Sequence, residues 1–127
     1  MMDELLKILE AVDKTRLTLA CICMLLDIIT GTIGALINKD FKSTIFRQGL
    51  FKKLLEIVLI VVGYILDYTV QVEYIGVACI YLVIGMEAYS IVIENASAYI
   101  PIPEWLKTII EDLKNGNHKV KENRGMD

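Results

Sequence analysis

The sequence predicts an all-α integral membrane protein, with three transmembrane helices and a C-terminal amphipathic helix at the membrane interface. Three observations lead there. The 127-residue chain is 55% apolar, and its mean hydropathy of +0.53 is high for a soluble domain of this size. The apolar residues gather in three blocks, 17–37, 54–72 and 74–93, which hold only four charged side chains: Asp27, Glu56, Asp67 and Glu87. Each block has 19 to 21 residues, and a bilayer core of about 30 Å needs about 20 helical residues at ~1.5 Å each. Short polar ends cannot cover three blocks that are apolar on most faces, which argues against a soluble catalytic domain.

The elements follow in chain order. Residues 1–16 form a short amphipathic segment in which Leu5, Leu6, Ile8, Leu9 and Val12 share one face; it is expected to run into the first span. The acids ahead of Leu17 and the length of the first block argue against a cleavable signal peptide. The first span, 17–37, is followed by a basic loop over 38–53 that contains Arg47, Gly49, Lys52 and Lys53. The second and third spans, 54–72 and 74–93, are separated only by Glu73, with Gln71 just before it, so a tight helical hairpin is expected. Pro101 and Pro103 then lead into an amphipathic helix over 103–114, with Trp105, Leu106, Ile109, Ile110 and Leu113 on one side. Pro103 suits its first turn and Asn115-Gly116 its end. That helix either lies along the inner membrane surface with Trp105 at headgroup depth, or packs on a partner or another subunit. The polar tail, 115–127, has the composition of a disordered segment.

Orientation follows from Lys and Arg near the span ends. There are three before the first span, five between the first and second, none between the second and third, and five after the third. With the basic loop in the cytoplasm, ten lie inside and three outside. The N-terminus is therefore expected outside and the C-terminus in the cytoplasm.

Several function classes fall away. A formal net charge of −3 does not suit a nucleic-acid binder. Cys21, Cys23 and Cys79 all lie inside apolar blocks, which suits packing better than a disulfide framework. His118 stands alone in the tail, so no metal site is expected. No catalytic group and no cofactor site is read from the chain, and it lacks the internal repeat that transporters use.

The acids inside the spans are the informative residues. An acid at mid-bilayer costs about 2.5–3.5 kcal/mol on insertion scales, so it should not face lipid. At about 100° per residue, Asp27 shares a face with Ala20, Cys23, Thr30, Gly31, Gly34 and Asn38. Asp67 shares one with Glu56, Ile60 and Gly63, and Glu87 one with Gly76, Cys79, Val83, Ser90 and Glu94. Each span thus has one polar or small-residue seam on an otherwise lipid-compatible surface. Either the carboxyls join helices, Glu56 reaching Lys52 or Lys53 on its own turn, or the seams line water when subunits assemble. Asp27, the deepest acid, is expected to be protonated while its seam is closed.

These residues resemble a known family, the small bacteriophage holins that include the clostridial toxin-release holins. Leu26-Asp27-Ile-Ile-Thr30-Gly31 looks like the family's D-x-x-T/L-G signature, and Ser43, Arg47, Gly49 and Lys53 resemble its S-x-x-x-R/K-x-G-x-x-x-K run. Glu94-Asn95 followed by Pro101-Ile-Pro103 is similar to its E-N and P-x-P ending. The resemblance implies a protein of the bacterial cytoplasmic membrane that forms homo-oligomers among the lipids. It implies timed lesions that release an endolysin or a protein toxin, cargo that need not be bound specifically, and an antiholin as a further partner. It also implies packing and topological roles for the matched residues. The other reading is an antiholin or a membrane-anchored regulatory subunit without pore activity.

Overall fold

The computed structural model describes residues 1–116. It is helical throughout its regular structure: α1 (Met2–Ala11), α2 (Lys14–Ile37), α3 (Ser43–Val70), α4 (Ile75–Tyr89, continued as a π-helical stretch over Ser90–Ala96) and α5 (Glu104–Asn115). Residues of the tail beyond Gly116, including His118, lie outside the described residues.

The N-terminal segment does not run into the first span. Val12 is extended, and Asp13 caps α2 by accepting from the Arg16 N–H at 3.0 Å. That N–H, helped by the guanidinium of the same residue, holds the Asp13 carboxyl below the usual carboxylate range. The Asp13 N–H donates to the Tyr64 hydroxyl at 3.1 Å, which ties the α1–α2 break to α3. Ile8 and Val12 pack on the core, while Leu5, Leu6 and Leu9 remain exposed.

The stretch expected as a basic loop over 38–53 is helical from Ser43. Arg47, Lys52 and Lys53 are good helix formers, and a charged run is no barrier to extending a helix. Only Asn38 to Lys42 turn the chain, with Lys39 in the left-handed region at φ 57°.

At the other end, Gln71 closes α3 at φ 58°, and four residues, 71–74, make the expected tight hairpin. Asp67, in the last turn of α3, accepts from the N–H groups of Ile75 and Gly76 at 2.8 Å each. It thereby serves the orphan donors at the α4 N-terminus, with its negative charge at the positive end of that helix. Asp67→Ala is expected to cost about 1–2 kcal/mol, in the range of a lost helix cap, and Asp67→Asn less. Denaturant unfolding in detergent micelles measures the difference.

Cross-helix contacts give the directions. Arg16 meets Tyr81, Asp27 meets Ser90 and Thr30 meets Asn95, so α2 and α4 run parallel. Asp13 meets Tyr64 and Asp27 meets Lys53, so α3 runs against α2. The three long helices therefore alternate in direction, with α4 packed against α2, α3 and α5. The core between them is Ala20, Met24, Ile60, Tyr64, Ile80 and Val83. Outward faces are apolar, with Leu19, Ile22, Leu25, Leu54, Val58, Val61 and Ile65 exposed. Two helical stretches, Lys14–Ile37 and Ile75–Ala96, are long and apolar enough to cross a membrane.

The amphipathic helix is found at Glu104–Asn115, with part of its apolar face turned to α4 of its own chain. Ile110 is buried there and Leu106 and Leu113 are half-buried, while Trp105 is exposed. Close packing at a glycine, Gly85, makes this possible.

Candidate functional site

Lys53 is the centre of a polar cluster between the long helices. Its ammonium donates to Asp27 Oδ2 at 2.7 Å and to Glu87 Oε2 at 3.0 Å, joining α3 to α2 and α4. The other Asp27 oxygen, Oδ1, accepts from Ser90 Oγ at 2.6 Å and from Asn95 Nδ2 at 3.1 Å. Asn95 Nδ2 also donates to Thr30 Oγ1 at 2.8 Å, and the Thr30 hydroxyl donates back to the Leu26 carbonyl at 2.8 Å. Asp27 thus meets an ammonium, a hydroxyl and an amide, and depth alone does not reveal the cation that arrives from the next helix.

The cluster is largely buried and unevenly charged. Lys53, Glu56 and Glu87 keep 7%, 4% and 1% of their exposure. Glu56 has Lys52 at 3.9 Å on the rim, while both of its oxygens and Glu87 Oε1 have no hydrogen-bond partner among the described residues. Two acids, Asp27 and Glu87, thus share the Lys53 ammonium, and with the unpartnered oxygens of Glu56 and Glu87 the arrangement can take up further donors. Beside it, a cavity of about 430 Å³ lies between α2, the 38–42 turn, the start of α3 and the π-helical stretch. Asp27, Lys53, Ser90 and Asn95 are in its wall.

The π-helical stretch explains how Ser90 and Asn95 reach the same carboxylate. Its i→i+5 pattern stacks residues five apart, whereas on a regular α-helix they would stand about 140° from one another. Sequence periodicity therefore assigns Ser90 to the seam and misses the role of Asn95.

Of the expected seam residues, Asp27, Thr30, Glu87 and Ser90 come together here within one chain. Gly31 lies against Asn95, and Gly34 faces the Tyr99 hydroxyl, to which Asn38 also donates at 3.4 Å. Gly63 and Asp67 serve the α3–α4 hairpin instead. Glu94 is exposed on the cavity wall. Lys53, expected as a loop residue, is the buried partner of two acids, because helix α3 carries it inward. Lys52 stays on the rim, Arg47 is exposed, and Gly49 has open space beside it. Pro101 is exposed, and Pro103 is the N-cap residue of α5. Tyr64 was not singled out from the sequence, although it lies one turn from both Ile60 and Asp67 on the α3 seam. Its ring fills the space in front of Gly76.

The model of the bacteriophage holin family matches residues 4–115, which takes in every helix described above apart from the first two residues of α1. No curated protein and no solved structure matches the chain.

Proposed function

The chain belongs to the bacteriophage holin family, and from that premise we propose that it permeabilises the bacterial cytoplasmic membrane from within. In this reading α2, α3 and α4 cross the bilayer as three spans, with the N-terminus outside and the C-terminus in the cytoplasm. Copies accumulate among the lipids, self-associate, and at a set time open lesions through which an endolysin or a protein toxin leaves. The observation that carries the reading is the inversion of an ordinary soluble core: Leu, Ile and Val cover the outside of the bundle, while three acids and a lysine are sealed within it. Apart from the exposed acids of α5, such a bundle is compatible with lipid as a closed unit, and it holds the polar side chains that a wet, open state would use.

Expression of the chain alone, without any endolysin, is expected to depolarise cells and admit an impermeant dye. A chain that acts only as an antiholin or an anchor would do neither. Orientation has its own readout in a chain freed of Cys21, Cys23 and Cys79. An impermeant maleimide added to intact cells before opening is expected to label a cysteine at Gln71 and to spare one at Ser43. The reverse pattern contradicts the N-out arrangement.

A further inference from the structure

The end of α5 lies where a helix resting on the membrane surface would not reach. A Cβ built on Gly85 of α4 would stand 2.6 Å from the Leu113 carbonyl carbon and 2.6 Å from the Lys114 nitrogen, so the two backbones touch. One turn along α4, the Lys114 ammonium sits 3.5 Å from the centre of the Tyr89 ring. Gly85 is ten residues beyond Ile75, about 15 Å along the helix at ~1.5 Å per residue, which is half of a bilayer core of about 30 Å. If α4 spans, the C-terminal end of α5 is held near mid-depth.

Along its length α5 has three different sides. Leu106, Ile110 and Leu113 face α4, and Trp105 and Ile109 form an exposed apolar flank. The side away from α4 carries Glu104, Glu111 and Asn115, all exposed, with Asp112 half-buried beside them. Acids on an outward face cannot stand against acyl chains. Nor do they suit a dry contact between copies: the same acidic face repeated around an assembly repels itself unless water separates its members. Lys107, 3.9 Å from Glu104, offsets only part of that charge.

We propose that the face of α5 carrying Glu104, Glu111 and Asn115 lines the aqueous opening, with α4 behind it as support. This rests on the lesion-forming reading above. It makes α5 part of the wall of the opening, and it gives isolated copies a reason to gather, since each holds a charged face that lipid does not accept.

Two measurements on the full chain in proteoliposomes test the proposal, both in a background lacking Cys21, Cys23 and Cys79. In the first, Gly85 is kept and Tyr89→Cys is paired with Lys114→Cys, because the Lys114 ammonium lies 3.5 Å from the centre of the Tyr89 ring. An intramolecular bridge is expected with a short bis-maleimide, and the bridged protein is expected to release entrapped dye as the unbridged one does. In the second, Glu111→Cys carries a fluorophore. Aqueous iodide is expected to quench it several-fold more than a fluorophore at Leu25→Cys on the outer face of α2, and lipids with a nitroxide in the acyl chain are expected to do the opposite. Failure of the bridge to form in the membrane, or a bridged protein that no longer releases dye, overturns the proposal. So does a Glu111 fluorophore shielded from iodide while release is intact, which would mean that a second copy covers this face. If the unsubstituted chain releases no dye at all, the lesion-forming reading is what fails, and the bridge still reports where α5 lies.

Discussion

Lys53→Met is expected to destabilise the bundle by about 3–5 kcal/mol, the cost of removing one partner from a buried ion pair. The substitution keeps the length of the side chain and removes the only buried ammonium among the described residues, so that Asp27 and Glu87 both lose their cation. Glu56 keeps its own partner, Lys52, at 3.9 Å on the rim. The readouts are membrane level by immunoblot and unfolding of purified protein in mixed micelles. A triple variant that adds Asp27→Asn and Glu87→Gln removes the stranded charges and is expected to recover much of the loss, because an ion pair replaced as a unit is often close to neutral. Equal stability of Lys53→Met and the unsubstituted chain would mean that the cluster does not hold the helices together. No recovery in the triple variant would mean that Lys53 acts through packing and not through its charge.

Gly76→Leu is expected to have the next largest effect, about 3 kcal/mol, at the upper end of overpacking costs. A Cβ at Gly76 would lie 2.6 Å from the Tyr64 ring, and one at Gly63 would lie 2.8 Å from Cys79 Sγ and 3.1 Å from the Gly76 Cα. The two glycines thus let α3 and α4 approach backbone to backbone below the turn, as small residues do between membrane helices. The ring cannot retreat freely, since its hydroxyl accepts from the Asp13 N–H. Combining Gly76→Leu with Tyr64→Ala relieves the overlap, so the pair is expected to cost less than the sum of the single changes in a double-mutant cycle. Additive effects would show that the two positions do not press on one another in the folded chain.

These two sites also show where sequence reasoning succeeds. On α3, Glu56, Ile60, Gly63 and Asp67 were grouped by helical spacing alone, and all four are buried on one side of the helix. Acids in apolar blocks are informative for the same reason: lipid excludes them, so the face that bears them must turn inward. What spacing does not reveal is the partner. Lys53 looked like part of a basic loop because its neighbours are charged, and only the continuation of α3 back to Ser43 carries it between Asp27 and Glu87. Asn95 was hidden by a change of helical period, since the π-helical stretch brings it under Ser90 where an α-helix would turn it away. Helical spacing places Asp67 on a seam, but its carboxylate caps the next helix, a role set by the four-residue turn and not by the helix that bears it. The placement of α5 depends on one small residue, Gly85, in the middle of an apolar run, and nothing in the amphipathic pattern of α5 itself specifies that contact.

The central claim is that this chain by itself opens membranes, and purified protein in sealed vesicles tests it most directly. Vesicles of bacterial lipid are loaded with a small dye and a dextran of protein size, each with its own fluorescence, and the chain is reconstituted at increasing protein-to-lipid ratios. Release of both solutes, rising more steeply than linearly with the ratio, is the result predicted for copies that assemble into lesions. Retention of both at every ratio, with the protein shown by protease protection to be inserted, would contradict the account.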